Sequence, residues 1–75
     1  MKVEVISNSI VVEKIYERTE IKSIGILTGK EIIENELEIV SQTWQKINKS
    51  SIHLAVYLND GTIDLFSKDC EIKIK

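Results

Sequence analysis

The chain has 75 residues and a formal net charge of −2 from ten basic and twelve acidic side chains, with one Cys and one His. A chain this short forms a single domain over residues 1–75 and buries only about 60% of its unfolded surface, while its cysteine and histidine count excludes an internal disulfide and a closed zinc site. The charge balance disfavours nucleic acid and anionic membranes, and nine of the ten basic residues are Lys, leaving Arg18 as the lone guanidinium fork for phosphate or base edges.

Met1 to Ile6 alternates charged and apolar residues without the apolar run of a signal peptide, and no stretch approaches the roughly 20 apolar residues of a membrane span. With a lone thiol, this predicts a cytoplasmic protein with no membrane association. The chain contains no Pro and fourteen Ile residues, most at alternating or helical spacing, so it reads as ordered throughout.

Lys2 to Ile6 predicts a first strand, and Ser7-Asn8-Ser9 the turn after it. Ile10 to Glu17 predicts a second strand and Glu20 to Leu27 a third. Gly25, inside the third, is read as the place where a helix packs down on the sheet rather than as a ligand position.

Residues 29–48 predict a long amphipathic helix. Ile33, Leu37, Val40, Trp44 and Ile47 fall in a 4-3-4-3 spacing. Together with Ile32 and Ile39 they occupy an arc of about 160° on a helical wheel, interrupted only by Glu36 and Thr43. Thr28-Gly29-Lys30-Glu31 matches a capping box, Glu31 and Glu34 suit the N-terminal end of the dipole, Lys46 and Lys49 the C-terminal end, and Asn48 the closing turn.

Ile52 to Leu58 and Ile63 to Phe66 predict a hairpin closed by Asp60-Gly61 as a two-residue loop. That register sets Leu58 against Ile63 and Val56 against Leu65. Ile52 and Leu54 complete the core face, and His53, Ala55, Tyr57, Asp64 and Phe66 fall on the opposite face. Glu71 to Lys75 predicts a closing strand whose charges blunt a sheet edge. The expected fold is therefore α+β: a small, mainly antiparallel sheet in the order β-β-β-α-β-β-β, with one helix packed on one face. The alternative is an all-β SH3-like barrel in which residues 36–47 are extended.

The chemistry-bearing residues form no catalytic or metal-binding set. His53 is expected as a solvated surface imidazole, with Asp64 and Cys70 as conceivable partners. Cys70 lacks a CxxC partner, and Asp69 and Glu71 beside it raise a thiol pKa, so it reads as a small packed residue. Asp60, Asp64 and Asp69 do not match a calcium loop. Thr28-Gly29-Lys30 departs from a phosphate-binding loop because Glu31 stands where a hydroxyl belongs. The row Glu31, Glu34, Glu38 is a solvated helix face. No cofactor, metal or small-molecule substrate is implied.

What remains is a pair of aromatics. In the expected register Tyr57 and Phe66 stand together on the face away from the helix, with His53 beside them and Tyr16 within reach; the alternative is that the N-terminal strands cover Phe66 or that the register slips by one residue. Such pairs bury large rigid area at interfaces. The functional expectation is a small non-enzymatic protein-interaction or regulatory module that binds a protein partner or itself through this aromatic face. The alternatives are a nucleic-acid-binding module of SH3-like type and, last, an enzyme whose active site is shared between subunits.

Overall fold

The computed structural model describes residues 1–37 and 46–75 and the backbone of Ser41–Gln42. Along the chain lie β1 (Lys2–Ser7), β2 (Val11–Glu17), a 3₁₀ turn (Arg18–Glu20), β3 (Ile21–Thr28), α1 (Gly29–Glu34), β4 (Ser41–Gln42), β5 (Ile52–Leu58), β6 (Ile63–Ser67) and β7 (Glu71–Ile74). The six strands expected from apolar alternation are present, each end within one residue of its expected place. The molecule is mainly β, and no helix among the described residues is long and apolar enough to cross a membrane.

The strands form two sheets, β2-β1-β7 and β3-β5-β6-β4, rather than one. All described pairings are antiparallel except β4 with β6. Asn8 and Ser9 both take positive φ, at 52° and 65°, and Ile10 N–H closes the β1–β2 turn onto the Ser7 carbonyl at 3.2 Å. Positive φ at both central positions suits a hairpin turn because it matches the twist of the flanking strands.

The long helix is corrected. α1 starts as expected, with the Thr28 hydroxyl accepting Glu31 N–H at 3.2 Å, but it ends at Glu34. Glu36 adopts φ +50°, Glu36 N–H reaches the Ile33 carbonyl at 3.4 Å, and Leu37 N–H reaches the Ile32 carbonyl at 3.2 Å. This is a Schellman closure with Glu36 in the left-handed position where glycine is usual. Leu37 then packs on the same apolar cluster as Ile32, the contact that accompanies such a stop. Ser41–Gln42 is strand, paired with Asp64 and Leu65. The wheel positions at Ile39, Val40 and Trp44 lie outside the described residues.

The β5–β6 register is also corrected, by one residue. Gly61 N–H bonds the Leu58 carbonyl at 3.1 Å, Leu58 N–H bonds the Thr62 carbonyl at 3.0 Å, and Gly61 has φ +93°. The loop is thus three residues, Asn59-Asp60-Gly61, a type I turn followed by a left-handed glycine. Tyr57 therefore pairs with Ile63, Val56 with Asp64, Ala55 with Leu65 and Leu54 with Phe66. Because side chains alternate with period two, this shift moves every β6 side chain to the other face relative to β5.

Two apolar clusters result, one on each face of the four-stranded sheet. Between the sheets lie Val3, Val5, Tyr16, Ile21, Val56 and Phe66. On the other face Ile32 of α1 packs with Leu27, Ala55 and Leu65. β5 and β6 are covered on both sides, which is why IHLAVYL and IDLFS are apolar nearly throughout.

Candidate functional site

The expected aromatic face does not assemble. Tyr16, His53 and Phe66 are 2%, 1% and 3% exposed, and Tyr57 is half-buried. Tyr16 and Phe66 belong to the cluster between the sheets, whereas Tyr57 packs against the cluster on the α1 side. The register shift separates Tyr57 from Phe66 across the sheet. The Tyr57 ring lies instead over Gly25, 3.8 Å from where a Cβ would stand. Gly25 thus leaves room for an aromatic side chain, in place of the helix contact expected there.

Tyr16 joins a buried polar group that joins the two sheets. Asp64, 2% exposed, accepts on one carboxylate oxygen both the Tyr16 hydroxyl and the Lys14 ammonium, the latter at 2.6 Å. The same ammonium lies 5.0 Å from the centre of the Tyr16 ring, within cation–π range. A buried carboxylate needs such compensation, since desolvation without a partner is strongly unfavourable. Burial first, then the Asp64 hydrogen bond and charge, push the Tyr16 hydroxyl well above its ordinary value. It therefore remains a protonated donor and is no general base. Lys14 and Asp64 are 50 residues apart in the chain, so no local spacing in the sequence reveals the pair.

His53 is buried, not solvated, and it does not face Asp64, which lies on the opposite side of the sheet. Its Nε2 is 2.7 Å from Ser51 Oγ. That hydroxyl accepts Asn48 N–H at 3.0 Å and donates to the Asn48 carbonyl at 2.7 Å. The direction of the Ser51–His53 bond depends on the imidazole tautomer, and Nδ1 has no partner among the described residues. Burial lowers the His53 pKa. The arrangement ties Ser51 and His53 into the turn at Asn48. Gly29 seals the same turn: its N–H bonds the Ser51 carbonyl at 2.8 Å, and any Cβ would overlap the Asn48 carbonyl. Its presence in the sequence marks this close approach, not a phosphate loop.

Cys70 is half-buried against the intersheet cluster, and burial, followed by the charge of Glu13, pushes its thiol pKa up. Asp60 accepts Thr62 N–H and its hydroxyl, at 2.9 and 2.8 Å, which holds its carboxyl low and accounts for it as a turn residue. Among the described residues no three His, Cys, Asp or Glu side chains come together as a metal site.

The exposed apolar surface lies elsewhere, along one side of the sandwich. Ile26 is 70% exposed, Ile74 61% and Ile24 41%, with Ile52 close behind. Val3, Ile21, Ile24 and Ile74 line a groove of about 170 Å³, with Arg18 and Lys22 at its rim. β3 and β7 are the sheet edges here. Gly29 N–H to Ser51 C=O fixes the phase of the β3–β5 ladder, so Ile24, Ile26 and Thr28 direct their N–H and C=O groups outward. The reciprocal bonds of Lys2 with Lys75, at 3.0 and 2.8 Å, likewise leave those of Ile72 and Ile74 outward on β7.

Exposed apolar residues also occur at Ile10, Val11, Val12 and Ile15, but there the edge strand carries Glu13, Lys14 and Glu17 and a register irregularity opposite Val5 and Ile6. These are the devices by which edges resist pairing. β7 is four residues long and carries Glu71 and Lys73, and β4 is two residues long. β3 has eight residues; Lys22 and a register irregularity lie at its start, between Ile21 and Ser23, but from Ser23 to Gly29 there are seven residues in succession without a charge. Comparison with protein-family models, with curated proteins and with solved structures finds no match for this chain.

Proposed function

We propose that this chain is a non-enzymatic protein-interaction module that takes a protein strand along its open side. Isoleucines, rather than the aromatic residues, form the contact surface. The observation that carries it is the β3 edge, with outward backbone groups at Ile24 and Ile26 and their side chains exposed beside them. Main-chain bonds give such strand addition its affinity, and alternate side chains give it selectivity. The polar groups with chemical potential, Ser51 with His53 and Lys14 with Tyr16 and Asp64, are engaged in structural bonds, which favours binding over catalysis.

The test is retention of proteins from an extract of the native cell on immobilised wild-type chain and on Ile26→Lys, with folding of both checked by amide NMR. The reading expects a defined partner, or further copies of the chain, retained by wild type and lost with Ile26→Lys. Identical retention by both would overturn it.

A further inference from the structure

We propose that the occupant of the β3 edge is a second copy of the same chain, paired antiparallel through β3 about a two-fold axis at Gly25. The proposal rests on the interaction reading above and adds the partner and the register.

β3 is complementary to itself in three respects. First, an antiparallel ladder requires outward-directed groups on both strands at opposing positions. With Gly25 opposite Gly25 of the second copy, Ile24 faces Ile26 of that copy and Ile26 faces its Ile24. Both are outward-directed residues, so their N–H and C=O groups pair reciprocally. Second, directly opposed side chains lie on one face. The exposed Ile24 and Ile26 of each copy therefore meet as four adjoining isoleucines, whose exposure at 41% and 70% in the single chain leaves area to bury. Third, the charges agree. Ser23 to Leu27, the segment set against its own copy, carries no charge, and Lys22 at its start falls toward the uncharged Thr28 end of the second copy's strand. No like charges are opposed, and the two-fold repeats each favourable juxtaposition.

Gly25 on the axis is compatible with this geometry, since it has no positive φ and its face toward Tyr57 is open to ordinary contact only. The pairing joins two four-stranded sheets into one continuous sheet, with both three-stranded sheets on the same side. It also covers the longest uncharged edge segment among the described residues, from Ser23 to Thr28, which lies beyond Lys22 and the register irregularity between Ile21 and Ser23 that mark the start of β3. A foreign strand would need a similarly long uncharged centre, which β3 of another copy supplies in register.

Sedimentation equilibrium on the full chain tests the partner. Dimerisation through β3 predicts a mass of twice the 8.6 kDa chain, with a dissociation constant raised by about tenfold or more in Ile26→Lys. A strict monomer up to about 1 mM overturns the dimer. If Ile26→Lys still abolishes retention of a foreign protein in that case, the interaction reading stands while the self-pairing falls. A dimer unaffected by Ile26→Lys overturns the β3 interface.

Disulfide capture tests the register in a Cys70→Ser background. Gly25→Cys places two thiols at a non-hydrogen-bonded pair, where Cβ atoms approach to about 4.5–5.5 Å, and diamide oxidation is expected to give a covalent dimer. Ser23→Cys places its two thiols about 13 Å apart and is expected to give none. Efficient capture by Ser23→Cys, or failure of Gly25→Cys in a chain that is dimeric by mass, overturns the Gly25 axis.

Discussion

The two sides of the sandwich solve the same problem differently. On one, β2 lies over β6, and Lys14 and Tyr16 reach across to Asp64. The exposed backbone of β2 is guarded by Glu13, Lys14, Glu17 and an irregular register, and β6 is covered by β4. On the other, Ile24, Ile26, Ile52 and Ile74 are exposed, with no such latch among the described residues and no charge along the centre of β3. A small domain has too little core to seal every edge, so closing one with polar pairing while leaving the other apolar is informative. Substitutions at the latch are therefore expected to lower stability, and substitutions at the open side to act on the proposed association without unfolding the chain.

The contrast breaks first at the latch. Lys14→Met removes the cation from the buried Asp64 carboxylate, and because Lys14 is itself partly exposed the loss is set at about 2–3 kcal/mol. It is read as a lower urea midpoint at unchanged slope. Tyr16→Phe removes one hydrogen bond to the same oxygen and is expected to lose about 1–2 kcal/mol by the same measurement. It also changes the alkaline limb of stability. The folded-state Tyr16 pKa lies above its ordinary 10.0, so the unfolded chain loses this proton first. Stability from this group is complete below about pH 10 and declines as the pH rises beyond it; in Tyr16→Phe that decline is absent.

Away from both sides, Glu36→Gly relieves a left-handed residue at the end of α1 and is expected to stabilise by about 0.5–1 kcal/mol. Its value is as a control, since it changes stability without touching either edge. The smallest effect on folding is expected at the open side. Ile26→Lys in dilute monomer is expected to shift stability by less than about 0.5 kcal/mol, its consequence being confined to association. A large destabilisation of the monomer would show that this edge is part of the core after all.

His53 supplies a pH test that separates the α1 face from both edges. Burial lowers its folded-state pKa below the ordinary 6.5, so the unfolded chain binds this proton first as the pH falls. Stability from the group is complete above about pH 6.5 and declines below it, a dependence expected to vanish in His53→Gln.

The strands were legible because alternation is a local property, visible in Lys2–Ser7 or Glu71–Ile74 without knowledge of what lies opposite. The burial of Tyr16 and His53 was not, and that of Phe66 only as an alternative, because parity within β5 and β6 says which residues share a face but not that both faces are covered. The helix was overextended because the wheel counts apolar positions and no glycine or proline marks the stop. The stop is made by backbone closure at Glu36, a residue type that does not announce it. The isoleucine edge was present in the sequence as the uncharged run from Ser23 to Gly29, though only the strand order identifies it as an edge.

The three-residue loop at Asn59-Asp60-Gly61 acts as a phase setter for the whole molecule. With one residue fewer, Asp64 and Phe66 would change places with Ile63 and Leu65 relative to β5, removing the carboxylate from Lys14 and Tyr16 and the ring from the intersheet cluster. Loop length, more than loop composition, is therefore the heritable quantity at this exposed tip. Replacements at Asn59 or Asp60 alter a solvent-facing turn, whereas a single insertion or deletion there inverts an entire strand.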